Sequence, residues 1–381
     1  MAGSTAWLEG LAGAPVPSRR LEDWRFTDLT ALAAIHPKLA MAPDPLAGVT
    51  LPAGVSRLSS EAVEALLGRA LHANHSEQHW LVQLNQGIQP AVVGLGVSGA
   101  AQPLELICDA GEAEGLVPWR ILLVLEEGAS LELLQVQRSS GANATTVITE
   151  VLLGAGSELR LGSLGLGDRQ ACLLTHLAVE QAPGSTLALT SASAGWALSR
   201  FEPRVVQSHG AAHTQMRSLQ WVDDQQCADT HSAIRFDGPG GTLDQLHKAV
   251  ADGAARSVFN GAISVPRAAQ QTEASQLSRS LLLSDRARID TKPQLEIVAD
   301  DVRCAHGATV SRLQQDELFY LQSRGIAAAQ ASRLLLRGFC DEVLRGLPAA
   351  AATWRPLERL LGADTQLSPD PEQPAAPLGK V

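Results

Sequence analysis

The sequence predicts a mainly β protein whose core is a parallel β-helix, a solenoid flanked by N-terminal and C-terminal helical domains. Three observations carry this. A turn-then-strand phrase recurs: EEGASLELLQ, LGAGSELRLG, QAPGSTLALT, SHGAAHTQMR and GPGGTLDQLH place glycines at 128, 156, 184, 210 and 240, at spacings of 28, 28, 26 and 30 residues. Apolar residues alternate within the phrase, as at Leu131 and Leu133 or Leu159 and Leu161, which suits a strand with one apolar face rather than a helix. The chain is 45% hydrophobic but only 4% aromatic, so the core is aliphatic. A unit of that length without a helix makes one coil that stacks on its neighbours. An antiparallel β-sandwich is the rival, because secondary breaks also fall at about 8–12 residues.

Taken in order, residues 1–88 form a mostly helical N-terminal domain. Ser60 is read as the N-cap of a helix through Glu61–Leu71, with Leu66, Leu67 and Leu71 on its apolar face. The solenoid core spans 89–315. Near its start VVGLGVSGA holds Gly94-x-Gly96-x-x-Gly99. A dinucleotide site would need a helix to begin there, yet AQPLELI follows and the alternation resumes, so a glycine-rich bend is expected. No P-loop motif is present, so any ATP hydrolysis must come from another subunit. From 316 to 362 the pattern is helical again. Asp316 is read as the N-cap of ELFYLQSR and Gly325 as its stop; a second helix runs over about 327–345, and Pro356 starts a third. Residues 363–381 are Pro-rich and polar, which predicts a disordered tail.

Bulk properties narrow the function. A formal net charge of -10 argues against nucleic acid or an anionic membrane as partner. No apolar run approaches the roughly 20 residues of a membrane span. The N-terminus MAGSTAWLEGLAG lacks the basic and apolar regions of a secretory signal. The five cysteines, at 108, 172, 227, 304 and 340, contain no CxxC, which reads as a reduced cytoplasmic protein without disulfides or a zinc finger.

Three groups of side chains invite chemistry. His72, His75 and His79 would share a face if one helix carried them, but a solvated surface cluster is the plainer reading. His209, His213 and His231 accompany Asp223, Asp224 and Asp229, without the G-x-S-x-G elbow of many hydrolases. Cys304 and His306 stand two apart in VRCAHGATVS, so a strand would present thiol and imidazole side by side. Spacing alone leaves packing of Cys304, with His306 capping the last coil, as the plain alternative to a metal site.

The residues around that pair carry a resemblance. TKPQLEIVADDVRCAHGATVSRLQQDELFYLQSRGI (291–326) closely resembles the signature of the SufB/SufD family of iron–sulfur cluster assembly proteins. NGAISVPRAAQQTEASQLSRSLLLSDRARID (260–290) and PSRRLEDWRFTDL (17–29) are similar to the same family, the latter to its SufD branch. SufB-type chains carry a cysteine near the position of Ser278 and a glutamate in the region of His306-Gly307. This chain has Ser278-Arg279-Ser280 and resembles the SufD branch instead.

The resemblance implies a right-handed parallel β-helix between helical domains, and a non-catalytic scaffold subunit of a SufBCD complex. SufB would pair with the β-helix end, and the SufC ATPase would dock on the C-terminal helices, around Phe319, Tyr320 and Arg324. It also implies His306, and with less force Cys304, as transient iron or cluster ligands at the SufB interface. No cofactor would be held stably by the chain alone; the cluster would be transient within the complex, where a reduced flavin is also compatible. The isolated chain could form a homodimer, and the compartment would be the cytoplasm or a plastid stroma equivalent. A solenoid carbohydrate-active lyase or hydrolase is the alternative. It would need a ladder of carboxylates along one groove, and Glu132, Glu150 and Glu158 are scattered.

Overall fold

The computed structural model describes residues 5–361; the tail expected from 363 lies outside them. Among the described residues seven α-helices flank the core: α1 (Ala6–Ala12), α2 (Ser60–Leu66), α3 (Arg69–Ala73), α4 (Trp80–Ile88), α5 (Gln315–Ser323), α6 (Ala328–Leu344) and α7 (Pro356–Leu361). The strands begin with β1 (Val55–Arg57), β2 (Val92–Val97), β3 (Leu104–Asp109), β4 (Gly115–Leu125), β5 (Ser130–Arg138), β6 (Asn143–Leu153), β7 (Glu158–Leu166), β8 (Cys172–Gln181) and β9 (Thr186–Ala194). They continue with β10 (Leu198–Gln207), β11 (His213–Val222), β12 (Cys227–Phe236), β13 (Thr242–Ala251), β14 (Arg256–Val265), β15 (Glu273–Leu282), β16 (Arg288–Ile297) and β17 (Arg303–Ser311). Even-numbered strands, led by β1, form a nine-stranded sheet, and odd-numbered strands from β3 an eight-stranded one. Apart from antiparallel β1 on β2, neighbours within each sheet run parallel. This is a parallel β-solenoid of about 8 turns.

The glycine period is the solenoid repeat. Ser130, Glu158, Thr186, His213, Thr242, Glu273 and Arg303 stand in one register across the odd sheet. The turns ahead of them need a left-handed residue, and Gly128, Gly156, Gly184 and Gly240 supply it at φ 67°, 64°, 74° and 72°. In the fourth unit the registered residue is Ala211 (φ 51°), one beyond the expected Gly210. Gly210 is left-handed as well, at φ 84°, and a Cβ there would lie 2.2 Å from the Pro239 carbonyl oxygen.

Alternation then sorts the side chains. Leu131, Leu133, Leu159, Leu161, Leu187 and Leu189 of the odd sheet meet Val147, Val151, Leu177, Val179, Val205 and Ile263 of the even sheet inside the coil. Each such buried aliphatic contributes about 1.5–3 kcal/mol. The outer faces are apolar too, and the flanking helices cover them. Leu8 and Leu84 pack with Leu174 and Leu198, and Leu71 and Val82 with Ile148 and Leu152, on the even sheet. Leu336, Val343 and Leu360 pack with Leu134, Leu164 and Leu219 on the odd sheet.

Several local expectations are corrected. The first-domain cap is Ser59, whose Oγ accepts from the Ala62 amide at 3.2 Å. That helix stops at Leu66, because Gly68 takes φ 89°, and Leu71 belongs to α3. Asp316 lies in the first turn of α5, with Gln314 at the cap position. Gly325 does turn the chain at φ 84°, and α7 does begin at Pro356. Gly94 and Gly96 sit in β2 with no helix behind them, and a Cβ on Gly94 would strike Val63 of α2 at 2.6 Å.

Candidate functional site at the open end of the solenoid

The two ends of the solenoid differ. At the first, β1 lies antiparallel across β2. At the last, β16 and β17 are the outermost strands of their sheets. Unpaired strand edges are a template for another chain. Exposed Ile297, Val298 and Val310 gather on this coil.

β17 carries the Cys-His pair. Cys304 registers on Ala274 and His306 on Gln276. Ala274 belongs to the interior core, so alternation points both side chains to the interior side of the last coil. Cys304 is half-buried and packs on that core, and burial raises its thiol pKa above the ordinary value. His306 is exposed because no further coil lies over it. Beneath it, buried Gln276 donates through Nε2 to Gln245 at 2.8 Å and leaves its Oε1 without a partner among the described residues. Cys304 also borders an open groove of about 640 Å³ that runs past His213, Asp244, Glu273 and Arg303.

The donor count is informative. Among the described residues, the only triplet of His, Cys, Asp or Glu at ligand spacing is His79, His176 and Glu202, so no third donor joins Cys304 and His306. Structural zinc sites and iron–sulfur clusters draw on four protein donors. The backbone of β17 is half used as well. The Arg303 amide donates to Thr272 O at 2.9 Å, so the odd-numbered residues face β15. Peptide groups alternate sides along a strand, so Cys304, His306, Ala308 and Val310 turn their N–H groups to the open edge.

Phe319 and Tyr320 lie on α5, 72% and 58% exposed, with the Arg324 guanidinium 5.3 Å from the Tyr320 ring. They are not packed under the solenoid. The other sequence groups do not converge. His72 pairs with Glu77 at 3.1 Å on the surface, His75 sits in a turn at φ 54°, and His79 faces inward at the start of α4, so one helix face does not carry them. Asp223 and Asp224 pair with Arg169, and His213 bonds Thr242. Asp229 and His231 are buried under the N-terminal helices. Glu150 is buried against Arg120 at 2.6 Å, whereas Glu132 pairs with Arg160 at 3.2 Å.

Sequence reasoning missed a buried charge network at that joint. Arg200 Nε donates to Glu202 Oε1 at 2.7 Å and Nη1 to Asp229. Burial opposes the Glu202 charge, but Arg200, with hydrogen bonds from His176 and His79, holds its carboxyl well below the usual range. The signal was present in LSRFEPRVVQ. Arg200, Glu202 and Arg204 alternate along β10, which puts three charges on a single face that helices cover.

These features define a class: a parallel β-solenoid with helical covers that leaves its last coil unpaired and sets a thiol and an imidazole on it. Comparison with known proteins names the family. Residues 108–339 match the family described as "SUF system FeS cluster assembly, SufBD core domain". The chain is 35% identical over 250 residues to an iron–sulfur cluster assembly SufBD family protein of Synechocystis sp., covering 63% of this chain and 55% of that one. It is 36% identical over 233 residues to Protein ABCI7, chloroplastic, of Arabidopsis thaliana, covering 60% and 49%. Against the iron–sulfur cluster assembly protein SufD of Escherichia coli it is 26% identical over 370 residues, covering 89% and 87%. The match thus spans about half the length of the first two relatives. The chain belongs to the SufBD family of iron–sulfur cluster assembly proteins. None of its described helices is long and apolar enough to cross a membrane.

Proposed function

We propose that this chain is the SufD-type, non-catalytic scaffold subunit of a cluster assembly complex. A second, SufB-type solenoid adds its terminal strands to β16 and β17, and a SufC-type ATPase docks at α5 and α6. The observation that carries the reading is the last coil: outward N–H groups at Cys304, His306, Ala308 and Val310, exposed apolar neighbours, and two of the four donors that a cluster needs. The iron and sulfide are cargo. They are held between the chains, with His306 as the leading ligand here and Cys304 beside it. Imidazole is a good iron ligand and leaves more readily than thiolate, which suits transient holding.

The test is co-purification with the cognate SufB- and SufC-type proteins, with only this chain tagged. Val310→Pro removes one outward donor while leaving the β15 ladder intact. SufB-type protein should be retained by wild type and His306→Ala but lost by Val310→Pro. Anaerobically retained iron and sulfide should fall in His306→Ala. Undiminished pairing in Val310→Pro would sink the edge-strand reading, and undiminished iron in His306→Ala would remove that ligand.

A further inference from the structure

The charge network between the N-terminal helices and the even sheet contains a feature that the last coil does not use. His79 precedes α4, His176 lies on β8 and Glu202 on β10. Their donor atoms all lie within 4.8 Å of one another. His79 Nδ1 and His176 Nδ1 approach the same oxygen, Glu202 Oε2, at 3.2 and 3.1 Å. Metal bonds of about 2.0–2.1 Å in a tetrahedron set its donor atoms roughly 3.3 Å apart, so two edges of the triangle already have coordination length.

We infer that His79, His176 and Glu202 form a site for a divalent first-row cation of the zinc or ferrous type, separate from the Cys304–His306 edge. Two imidazoles and a carboxylate suit these borderline ions better than Mg²⁺ or Ca²⁺. The surroundings fit a ligand set. The other Glu202 oxygen is fixed by Arg200 Nε at 2.7 Å, as an outer partner fixes a metal-binding carboxylate. His79 is the half-open wall, its side chain 27% exposed, which leaves an approach and a position for water or a second ligand.

The same surroundings make the site exchangeable rather than permanent. The two imidazoles must present Nδ1 bare, which moves a proton to His176 Nε2, a buried atom with no partner among the described residues. Arg200 and Arg204 stand near, and their charge opposes a cation. The ion would clamp α4 to β8 and β10, joining two parts of the chain 123 residues apart in sequence.

The experiment uses the full chain and Co²⁺, whose visible spectrum reports ligand type. Wild type should take up one equivalent with nitrogen–oxygen bands and no thiolate charge transfer, and added Zn²⁺ should displace it. His79→Ala, a change at a partly exposed residue that leaves the core intact, should weaken binding at least about tenfold, as even outer-shell changes commonly do. Binding should persist in the Cys304→Ser/His306→Ala variant and in His72→Ala/His75→Ala. Unchanged affinity in His79→Ala, a thiolate band, loss in either double variant, or no uptake by wild type would each overturn the assignment.

Discussion

Replacing Arg200 with methionine should loosen the N-terminal helices from the solenoid at a cost of about 3–5 kcal/mol, the range for removing one partner of a buried ion pair. Arg200 is among the largest fully buried side chains. Its guanidinium lies 3.7 Å from the Trp24 ring centroid, and Nη1 donates to Asp23 O at 3.0 Å and to Thr27 at 3.3 Å, besides Asp229, while Nε serves Glu202. Methionine keeps most of the volume, so the cavity term stays small and the loss isolates charge. Glu202 and Asp229 are then left buried without their cation. The cost is a large part of a total stability on the order of 5–15 kcal/mol. In urea, the fluorescence of Trp24 and Trp80, packed edge to face at 6.0 Å, should change ahead of the strand circular dichroism, whereas wild type gives coincident transitions. Neutralising the carboxylates as well, in Arg200→Met/Glu202→Gln/Asp229→Asn, should recover most of the loss. The pH dependence has a defined sign. The folded Glu202 carboxyl lies below its ordinary 4.5, so its contribution is present above that value and is lost as pH falls through the folded one. Without Arg200 that acid limb should flatten. A loss under about 1 kcal/mol, with the transitions still coincident, would refute the reasoning.

Two further predictions concern the solenoid. His247 is fully buried between Ser218, at 2.7 Å, and the Phe259 ring, and burial pushes its pKa down to about 3 from 6.5. Between those values only the unfolded chain takes the proton, so His247 contributes a loss of about 1.4 kcal/mol of stability for each unit that the pH falls; His247→Gln should reduce the slope by that amount in urea midpoints measured from neutral to mildly acid pH, and equal slopes would refute it. Lys248 is buried beneath α6, where its ammonium bonds Glu342 and, at 2.8 Å, Phe339 O. Lys248→Ala should lower amide protection across Ala328–Leu344 by about 2 kcal/mol, the worth of a charged hydrogen bond; exchange indistinguishable from wild type would show that α6 docks by its apolar face alone.

The solenoid was legible because its signals are local. A left-handed turn residue and two alternating leucines repeat in each coil, and the spacing of Gly128, Gly156, Gly184 and Gly240 is the register itself. In the fourth turn Gly210 is left-handed too, but the position in register with the other glycines falls on Ala211, which only backbone geometry reveals. The helix starts were misplaced by a residue or two because SS at 59–60 and QQD at 314–316 offer adjacent caps, and sequence does not rank them. The charge network was harder to read for a stronger reason. Arg200, Glu202 and Asp229 look like the solvated face of a strand until the N-terminal helices cover it, and which face a helix covers is a long-range fact.

Cys304 and His306 lie at the opposite extreme. Spacing alone placed them on one face of a strand, and β17 does so. What spacing alone does not show is that the even-numbered N–H groups of this last strand turn outward. A fully paired strand with two buried donors would make a poor depot for a transient cluster, because ligand exchange would require opening the ladder. An edge strand reverses that energetics. In the proposed scaffold, the outward hydrogen bonds and the missing donors would both come from a partner, so pairing and metal holding would be satisfied together and broken together. A motion that peels a partner strand from β17 would strip donors from the metal in the same step, which turns a change in subunit contact into release of the cargo. Under that proposal, the incompleteness of the pair is what would suit it to a scaffold.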